Sequence, residues 1–370
     1  MKAINTGNSY HLYDNSVKTF DLLPAQSYNV CFNPKQGFWL EAAQELTVNE
    51  KIYGVHMEKV DKVYNAFNIF TRNLGVILSG DKGIGKSIFA KLLSIKSIEN
   101  GYPLIIVNSY YPGIADFIND IEQEVVVLFD EFDKTFSTND KNNSGDPQTE
   151  MLTLFDGLST GKKLFIITCN NLKSLNDYLV NRPGRFHYHF RFEYPQDEEI
   201  REYLQDKVKE EYWGEINKVI GFSKKISLNY DCLRAIAFEL SLGVSFEKAI
   251  KDLNIINTTI EVYDVILQLS NGMSLKAMKV PMDIFDDAEK NVRFDYKNEY
   301  APLSISFYPK DCIYDPFVNG NVITKENLFK FNLCSKDDFD NPELYEELKG
   351  VTPERIFIKK RDAKGIHYAL

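Results

Sequence analysis

Residues 80–87 combine three glycines, a lysine and a serine at a spacing that suits phosphate binding. The segment reads Gly-Asp-Lys-Gly-Ile-Gly-Lys-Ser, and it lies between an apolar run and an amphipathic pattern. Glycines let the backbone turn its N–H groups inward, the start of a helix adds the positive end of its dipole, and Lys86 adds a point charge. The Ser87 hydroxyl suits Mg²⁺. The pattern predicts a nucleotide-binding loop, and a glycine-rich turn with a chance lysine is the alternative. The residues expected to contact the nucleotide are Gly80, Asp81, Lys82, Gly83, Ile84, Gly85, Lys86, Ser87 and Ile88.

Two adjacent carboxylates follow a second apolar run further along the chain. Asp130 and Glu131 come directly after residues 125–129, whose sequence Val-Val-Val-Leu-Phe suits a buried parallel strand. Ligands of doubly wound sheets bind at the carboxyl ends of the strands. Asp130 would therefore help Ser87 to hold Mg²⁺, and Glu131 would orient and activate an attacking water. The pair predicts hydrolysis of the bound nucleotide, and an acidic turn after a core strand is the alternative.

Composition limits the class of protein. The chain has 370 residues and a net charge of −10, which argues against a large nucleic-acid footprint. The five cysteines are scattered without a C-x-x-C pair, as expected for reduced thiols. The N-terminus does not resemble a signal peptide, and no run reaches the ~20 apolar residues of a membrane span. We therefore expect a cytoplasmic protein with no membrane partner.

The pattern of apolar runs predicts the domain organisation. Buried strands at 104–107, 125–129 and 164–168 alternate with helices, which favours an α/β fold with a doubly wound parallel sheet. A polar stretch at 137–148 predicts a mobile loop on the active face. The expected parts are a β-rich N-terminal region at 1–48, a nucleotide-binding domain at 49–194, a small helical lid at 195–257 and a β-rich C-terminal domain at 258–370.

The order of these motifs resembles the AAA branch of the AAA+ ATPases, which are P-loop NTPases, over about residues 50–255. In that resemblance residues 80–87 look like the Walker A loop and residues 125–131 like Walker B. Three further segments are similar to the Leu-x-x-x-Asp-Gly helix, the sensor-1 strand and the arginine-finger segment of the family, and they are Met151–Gly157, Ile166–Asn170 and Arg182–Phe186. The compact spacing is similar to Bcs1-like and phage-encoded AAA proteins, which would place the protein in a host cytoplasm if a phage encodes it.

The resemblance implies roles for individual residues. Asn170 would position the water beside Glu131. Arg182 and Arg185 would reach the γ-phosphate bound by a neighbouring subunit, which requires a homo-oligomer, expected to be a hexameric ring. Surface arginines in a turn are the alternative. The chain departs from the family in its loop, which reads Gly-Asp-Lys-Gly-Ile-Gly instead of Gly-Pro-Pro-Gly-x-Gly, and in the absence of an arginine at the sensor-2 position near 242–246.

Two further predictions concern tyrosines. Tyr53 and Gly54 are expected near the adenine. Tyr110 and Tyr111 stand where ring-forming relatives carry an aromatic pore loop, although Pro112 replaces the usual aliphatic residue. An aromatic side chain in a pore would grip an extended polypeptide by apolar contact. Packing of both tyrosines in a turn is the equal alternative.

Three functions fit the sequence. The first is an ATP-hydrolysing oligomer that remodels or threads an unidentified protein client. The second is a nucleotide-gated assembly factor with slow turnover. The third is a DNA-associated AAA+ motor or loader, which the acidic balance disfavours because nucleic acid attracts basic surfaces.

Overall fold

The computed structural model describes residues 1–48, 51–54, 56–137, 146–156, 161–180, 182–255, 261–315, 317–318, 320–324 and 329–361. The chain splits into two compact units, Met1–Glu193 and Tyr194–Leu370. Most of the predicted loop at 137–148, and Gly157 of the predicted Leu-x-x-x-Asp-Gly helix, lie outside the described residues. No helix among the described residues is long and apolar enough to cross a bilayer.

The first unit is built from strands and helices that alternate after an initial run of strands. Its strands are β1 Lys2–Thr6, β2 Ser9–Tyr13, β3 Ser27–Asn33, β4 Gly37–Ala42, β5 Leu74–Ser79, β6 Leu104–Val107, β7 Val125–Phe129, β8 Lys163–Cys169 and β9 Tyr188–Arg191. Its helices are α1 His56–Ile69, α2 Lys86–Glu99, α3 Ile114–Asn119, α4 Phe132–Thr135, α5 Pro147–Phe155 and α6 Asp177–Val180.

A seven-stranded sheet with the order β4-β3-β6-β7-β8-β5-β9 forms the centre of this unit. The strands from β3 to β9 pair in parallel, and β4 alone is antiparallel. Every residue of β5, β7 and β8 is buried, because helices cover both faces of a doubly wound sheet. The predicted α/β fold with a parallel sheet is confirmed.

Alternation along the central strands divides their side chains between two layers. Val125, Val127 and Phe129 of β7 belong to a core cluster that also contains Ile118 of α3 and Phe155 of α5. Helix α2 packs against β6, β7 and β8. These layers hold the carboxyl ends of β5, β7 and β8 side by side, where the predicted site residues follow.

The N-terminal region at 1–48, which the sequence analysis lists apart from the nucleotide-binding domain, contributes two strands to the central sheet. β3 pairs in parallel with β6, so the hairpin of β3 and β4 extends the central sheet. The alternating pattern of residues 28–32 predicted the strand but could not indicate its partner. β1 and β2 form a second, two-stranded sheet, and Tyr10 and Leu12 on β2 are exposed.

The second unit consists of a helical segment followed by a β-rich module. Its helices are α7 Asp197–Lys207, α8 Ile216–Ser223, α9 Tyr230–Ser241, α10 Phe246–Asp252 and α11 Pro342–Leu348. Its strands are β10 Glu261–Leu269, β11 Ser274–Met282, β12 Lys290–Tyr296, β13 Glu299–Phe307, β14 Ile313–Asp315, β15 Gly320–Thr324, β16 Lys330–Leu333 and β17 Pro353–Lys360.

The helical segment and the β-rich module pack together within the second unit, and the predicted boundary between them at residue 257 stays a prediction. The strands form sheets with the orders β11-β10-β17-β15-β14 and β12-β13-β16 around a common apolar core. The buried Tyr263 of β10 donates its hydroxyl to the carbonyl of Lys225 at 3.1 Å, and Lys225 Nζ donates to the carbonyl of Cys312 at 2.8 Å. Polar contacts of this kind join the two predicted parts into one unit.

Candidate nucleotide-binding site

The glycine-rich loop connects β5 to α2 in the first unit. The φ values of Gly80, Gly83 and Gly85 are 141°, 73° and 100°. Residues other than glycine rarely adopt this part of the backbone map. A Cβ on Gly80 would also lie 2.5 Å from the carbonyl oxygen of Phe192. The three glycines are therefore required by the backbone, and the loop is more than a turn with a chance lysine.

Lys86 is buried at the start of α2, with 7% of its surface exposed. Its Nζ donates to the carbonyl of Gly80 at 2.7 Å and to Asn170 Oδ1 at 2.9 Å. Burial lowers the pKa of the Lys86 ammonium, and nearby groups that include Asp130 and Asp133 oppose this shift. The Lys86 ammonium group thus lies against the backbone of the glycine-rich loop, where the sequence predicted that a phosphate binds.

Asp130 and Glu131 follow β7, at the same edge of the sheet as the loop. The Thr168 hydroxyl of β8 donates to Asp130 Oδ1 at 2.6 Å and accepts from the backbone N–H of Glu131 at 2.8 Å. Glu131 has φ 49° and ψ 47°, a conformation uncommon for a residue with a side chain. The neighbouring strand β8 therefore holds the carboxylate of Asp130 and the backbone of Glu131.

Asn170 connects the lysine of the loop with the acidic pair. Its Oδ1 accepts from Lys86, and its Nδ2 donates to Glu131 Oε1 at 3.3 Å. Asp133 of α4 fixes the backbone at this position, since its Oδ2 accepts from the N–H groups of Asn170 at 3.1 Å and Asn171 at 3.0 Å. The side chain of Asn170, the predicted water-positioning residue, thus bridges Lys86, the predicted phosphate-binding lysine, and Glu131, the predicted base.

Glu131 also has a basic neighbour on α4. Lys134 Nζ lies 2.5 Å from Glu131 Oε1, and both side chains are about half exposed, at 46% and 47%. This contact is the main reason why the pKa of Glu131 is lowered, and the charge of Lys82 on the loop acts in the same direction. The candidate base is therefore ionised and has cations beside it.

The residues present fit a Mg²⁺ ion together with a nucleoside triphosphate. Ser87 lies exposed in the first turn of α2, and Asp130 follows β7. A hydroxyl and a carboxylate oxygen are hard ligands of the kind that Mg²⁺ accepts alongside phosphate oxygens and water. Mg²⁺ bound there would neutralise phosphate charge, and Ser87 and Asp130 would hold it.

The two predicted finger arginines stand in different environments. Arg185 is buried, with 6% of its surface exposed, and its guanidinium pairs with both oxygens of Asp156 and with the carbonyl of Tyr178. The pair with Arg185 holds the pKa of Asp156 below its usual value. Arg182, three residues earlier, is exposed. Of the two arginines, only Arg182 is displayed on the surface of its own subunit.

The tyrosines of the predicted pore loop pack within the unit. Tyr110 Oη donates to Glu150 Oε2 at 2.5 Å, and burial together with this carboxylate raises the pKa of Tyr110 to about 12. The Tyr111 ring lies 5.1 Å from that of Phe32 on β3 and 6.4 Å from that of Phe38 on β4. The structure favours the packing alternative, because both side chains are partly buried and engaged by neighbours.

The residues predicted near the adenine lie just before α1. Tyr53 is buried, and Gly54 has φ 77°, which favours glycine. The ring of His56, the first residue of α1, stacks on Phe192 at 5.1 Å and would be the nearest group to a Cβ on Gly85. The start of α1 thus adjoins the phosphate loop, and the adenine contacts of Tyr53 and Gly54 stay a prediction.

Three residues of the site were not assigned roles from the sequence. They are Thr168, which holds the Asp130 carboxylate and the Glu131 backbone, Asp133, which holds the backbone of Asn170, and Lys134, which pairs with Glu131. The i,i+3 spacing of Glu131 and Lys134 was a readable signal for the last of these. The other two depend on β7 and β8 being neighbours, which sequence spacing does not indicate.

The fold and this site together define a P-loop nucleotide-binding domain. Residues 76–194 match the family described as "ATPase family associated with various cellular activities (AAA)". This part of the chain is an AAA domain, and ATPases of that family use ATP with Mg²⁺. The proposed nearness to Bcs1-like and phage-encoded members stays a prediction.

Similar proteins support the same assignment. The chain is 26% identical over 153 residues to an "AAA ATPase forming ring-shaped complexes" of Corynebacterium kroppenstedtii, over 35% of this chain and 27% of that protein. It is 25% identical over 158 residues to a "Proteasome-associated ATPase" of Acidimicrobium ferrooxidans, with the same shares of the two chains. It is 28% identical over 127 residues to the "ATPase family gene 2 protein" of Saccharomyces cerevisiae, over 30% of this chain and 16% of that protein. The matches thus span at most 27% of the length of these relatives.

Proposed function

We propose that this protein is a Mg²⁺-dependent ATPase that works as a homo-oligomer and acts on a protein client. The observation that carries the proposal is the position of Asn170, whose side chain contacts Lys86 on one side and Glu131 on the other. Hydrolysis of a phosphoanhydride requires a cation that binds the phosphate, a base for the attacking water and a polar group that positions this water between them.

Each residue of the site has a distinct task in this proposal. The loop backbone and Lys86 bind and orient the phosphates, and Ser87 and Asp130 hold Mg²⁺. Glu131 accepts a proton from the attacking water, and Asn170 keeps that water in line. Thr168 and Asp133 position these groups through the hydrogen bonds described above. Catalysis then rests on positioning and on charge neutralisation more than on covalent chemistry.

Assembly into an oligomer supplies the remaining charge. Arg182 is exposed in its own subunit, and a guanidinium provided by a neighbour stabilises the charge that develops during phosphoryl transfer. The relative from Corynebacterium kroppenstedtii forms ring-shaped complexes, which supports the same arrangement. We propose a hexameric ring, the size that the family resemblance implies, with the active sites at the seams between subunits.

Two alternatives give different observations. A nucleotide-gated assembly factor would change its size on binding ATP, turn over slowly and show no stimulation by a client. A DNA-associated motor would shift DNA in a salt-dependent manner, against the net charge of −10. Tyr110 and Tyr111 pack inside the first unit, so we do not assign to them the contact with a client.

The decisive experiment compares Glu131→Gln with the wild type. We expect the variant to bind ATP and to release no phosphate, because the amide cannot accept the proton of the water while the loop stays intact. Glu124→Gln is the matched control, since Glu124 is an exposed carboxylate at the opposite end of β7. It should retain binding and hydrolysis. Unchanged phosphate release by Glu131→Gln would refute the proposed role of this residue.

A second set of measurements tests the assembly and the client. Particle mass in the presence and absence of ATP reports the oligomer, and phosphate release with added unfolded proteins reports stimulation by a client. A strictly monomeric protein with full ATPase activity would contradict catalysis at a subunit seam.

A further inference from the structure

The N-terminal hairpin of β1 and β2 lies outside the core of the first unit. Among the described strands, β1 and β2 pair only with each other, and every residue of β2 is exposed. Tyr10 and Leu12, which share one face of β2, are 71% and 61% exposed. A two-stranded hairpin alone in water is marginally stable and needs a further strand or a packing surface. We therefore expect this hairpin to gain its stability from a partner.

The first unit also has a sheet edge that no described strand covers. β4 ends the seven-stranded sheet and pairs with β3 alone among the described strands. Its sequence Gly-Phe-Trp-Leu-Glu-Ala contains no lysine and no proline, which are residues that commonly keep other strands away from an edge. Trp39 is 39% exposed, on the face opposite to Phe38 and Leu40, which pack against the core. The backbone of β4 is thus accessible to another strand, beside an exposed indole ring.

The edges of the five-stranded sheet, in contrast, are protected against strand addition. β11 carries Lys276, Lys279 and Pro281, and its register against β10 shifts within the strand. β14, at the other end of that sheet, is only three residues long. Lysines, prolines, irregular pairing and short length each make an edge a poor template for another strand. β4 has six residues and pairs with β3 without a shift, so it differs from both of these edges.

A second copy of this chain is the partner that fits both features. Within one chain the hairpin and the β4 edge stay unpaired with each other, although both belong to the first unit. Residues 14–26 connect the hairpin to β3 and reach up to about 40 Å when extended. Phe20 and Leu22 in this connection are exposed, so the apolar surface continues beyond the hairpin. In a homo-oligomer, every copy offers a free hairpin to one neighbour and a free edge to another.

We propose that the N-terminal hairpin of one copy adds to the β4 edge of the next copy, with Tyr10 and Leu12 against Trp39. The inference rests on the homo-oligomer of the proposed function and adds a contact outside the nucleotide site. Backbone hydrogen bonds along β4 provide affinity, and the aromatic and aliphatic side chains exclude water from one face. The hairpin and the edge are different surfaces, so the contact runs head to tail, as a ring of identical subunits requires.

The first test measures self-association of the full chain in the presence of a non-hydrolysable ATP analogue. We expect Leu12→Lys to associate about tenfold more weakly than the wild type, because a charged group replaces an apolar side chain that the contact buries. His11→Lys is the matched control, since His11 is exposed on the same strand and lies on its opposite face. The control should associate as the wild type does.

The second test detects the contact directly by disulfide formation between copies. Chains with Trp39→Cys are mixed with chains of different size that carry Leu12→Cys or Tyr10→Cys, all with Cys31→Ser because Cys31 pairs with Trp39 on the neighbouring strand. We expect a disulfide between the two kinds of chain, identified by mass spectrometry of the linked peptides, since facing side chains on paired strands meet its distance requirement. Absence of this disulfide from both mixtures would overturn the contact.

The outcomes separate this contact from the proposed function. If the wild type stays monomeric, the proposed oligomer fails together with the hairpin contact. If the wild type assembles and Leu12→Lys assembles equally well, only the hairpin contact is overturned. Unchanged assembly of Leu12→Lys together with a loss of stimulation by a client protein would assign the hairpin to the client, and it would equally overturn the contact between copies.

Discussion

Arg185 and Asp156 form a two-pronged ion pair inside the AAA domain. Nη2 of Arg185 lies 2.6 Å from Asp156 Oδ2, Nε pairs with Oδ1, and Nη1 donates to the carbonyl of Tyr178 at 2.9 Å. The Arg185 side chain is 7% exposed, so its charge is satisfied within its own subunit. The two arginines of the predicted finger segment therefore have separable roles, Arg185 in the fold and Arg182 at the surface.

Arg185→Ala should lower the free energy of unfolding by about 2 to 4 kcal/mol, because removing one partner of a buried pair leaves the other uncompensated. The lower end applies, since the Asp156 side chain is 40% exposed and keeps part of its hydration. Arg182→Ala, at an exposed position, should stay within about 0.5 kcal/mol of wild type. Denaturant unfolding of both variants checks this, and equal losses would show that the pair is not structural.

Mixed oligomers test the role of Arg182 across a seam. Arg182→Ala and Glu131→Gln subunits should each be inactive alone, and mixing them should recover part of the ATPase activity, because some seams then combine an intact base with an intact arginine. Phosphate release by mixtures of verified composition is the measurement. Mixtures no more active than their components would argue that Arg182 does not act in trans.

Asp133→Ala should impair hydrolysis and leave nucleotide binding intact. The Asp133 carboxylate accepts two backbone N–H groups at Asn170 and Asn171, and without them Asn170 shifts away from the water, which costs about 10²-fold in kcat for a displacement near 1 Å. Asp133→Asn keeps an acceptor oxygen and should retain most of the activity. An equal loss in both variants would contradict a positioning role.

Lys163 gives the stability of the first unit a distinctive pH dependence. It is fully buried, and its Nζ donates to the carbonyls of Ile121 at 2.9 Å and Gly161 at 3.0 Å. Burial lowers its pKa to about 8, below the ordinary value for lysine, so between these two values the unfolded chain binds more protons than the folded chain. The free energy of unfolding should therefore rise with pH above about 8.

Lys163→Met isolates this effect. The variant lacks the titrating group, so the difference in unfolding free energy between wild type and variant should be constant below pH 8. Above that pH it should move in favour of the wild type, by at most about 1.4 kcal/mol per pH unit. Urea unfolding at several pH values is the measurement, and parallel curves up to pH 10 would show that Lys163 titrates normally.

Features that are contiguous in the chain could be predicted from it. The glycine loop carries its own conformational requirement, because Gly80, Gly83 and Gly85 adopt positive φ within one short segment. The acidic pair is adjacent in sequence and directly follows β7. Continuous apolar runs indicate strands buried on both faces, and those runs match β6, β7 and β8. Local chemistry and periodicity were sufficient for each of these.

Tertiary structure decided which of these segments meet. The sequence does not indicate that β3 pairs with β6 or that the helical segment packs on the C-terminal strands. It also does not indicate that Asn170 links Lys86 to Glu131. It also presented Arg182 and Arg185 as equivalent, and only packing against Asp156 and Tyr178 buries one of them. Contacts between distant residues depend on strand order and on competition for space in the core, and neither quantity is encoded in any single stretch of sequence.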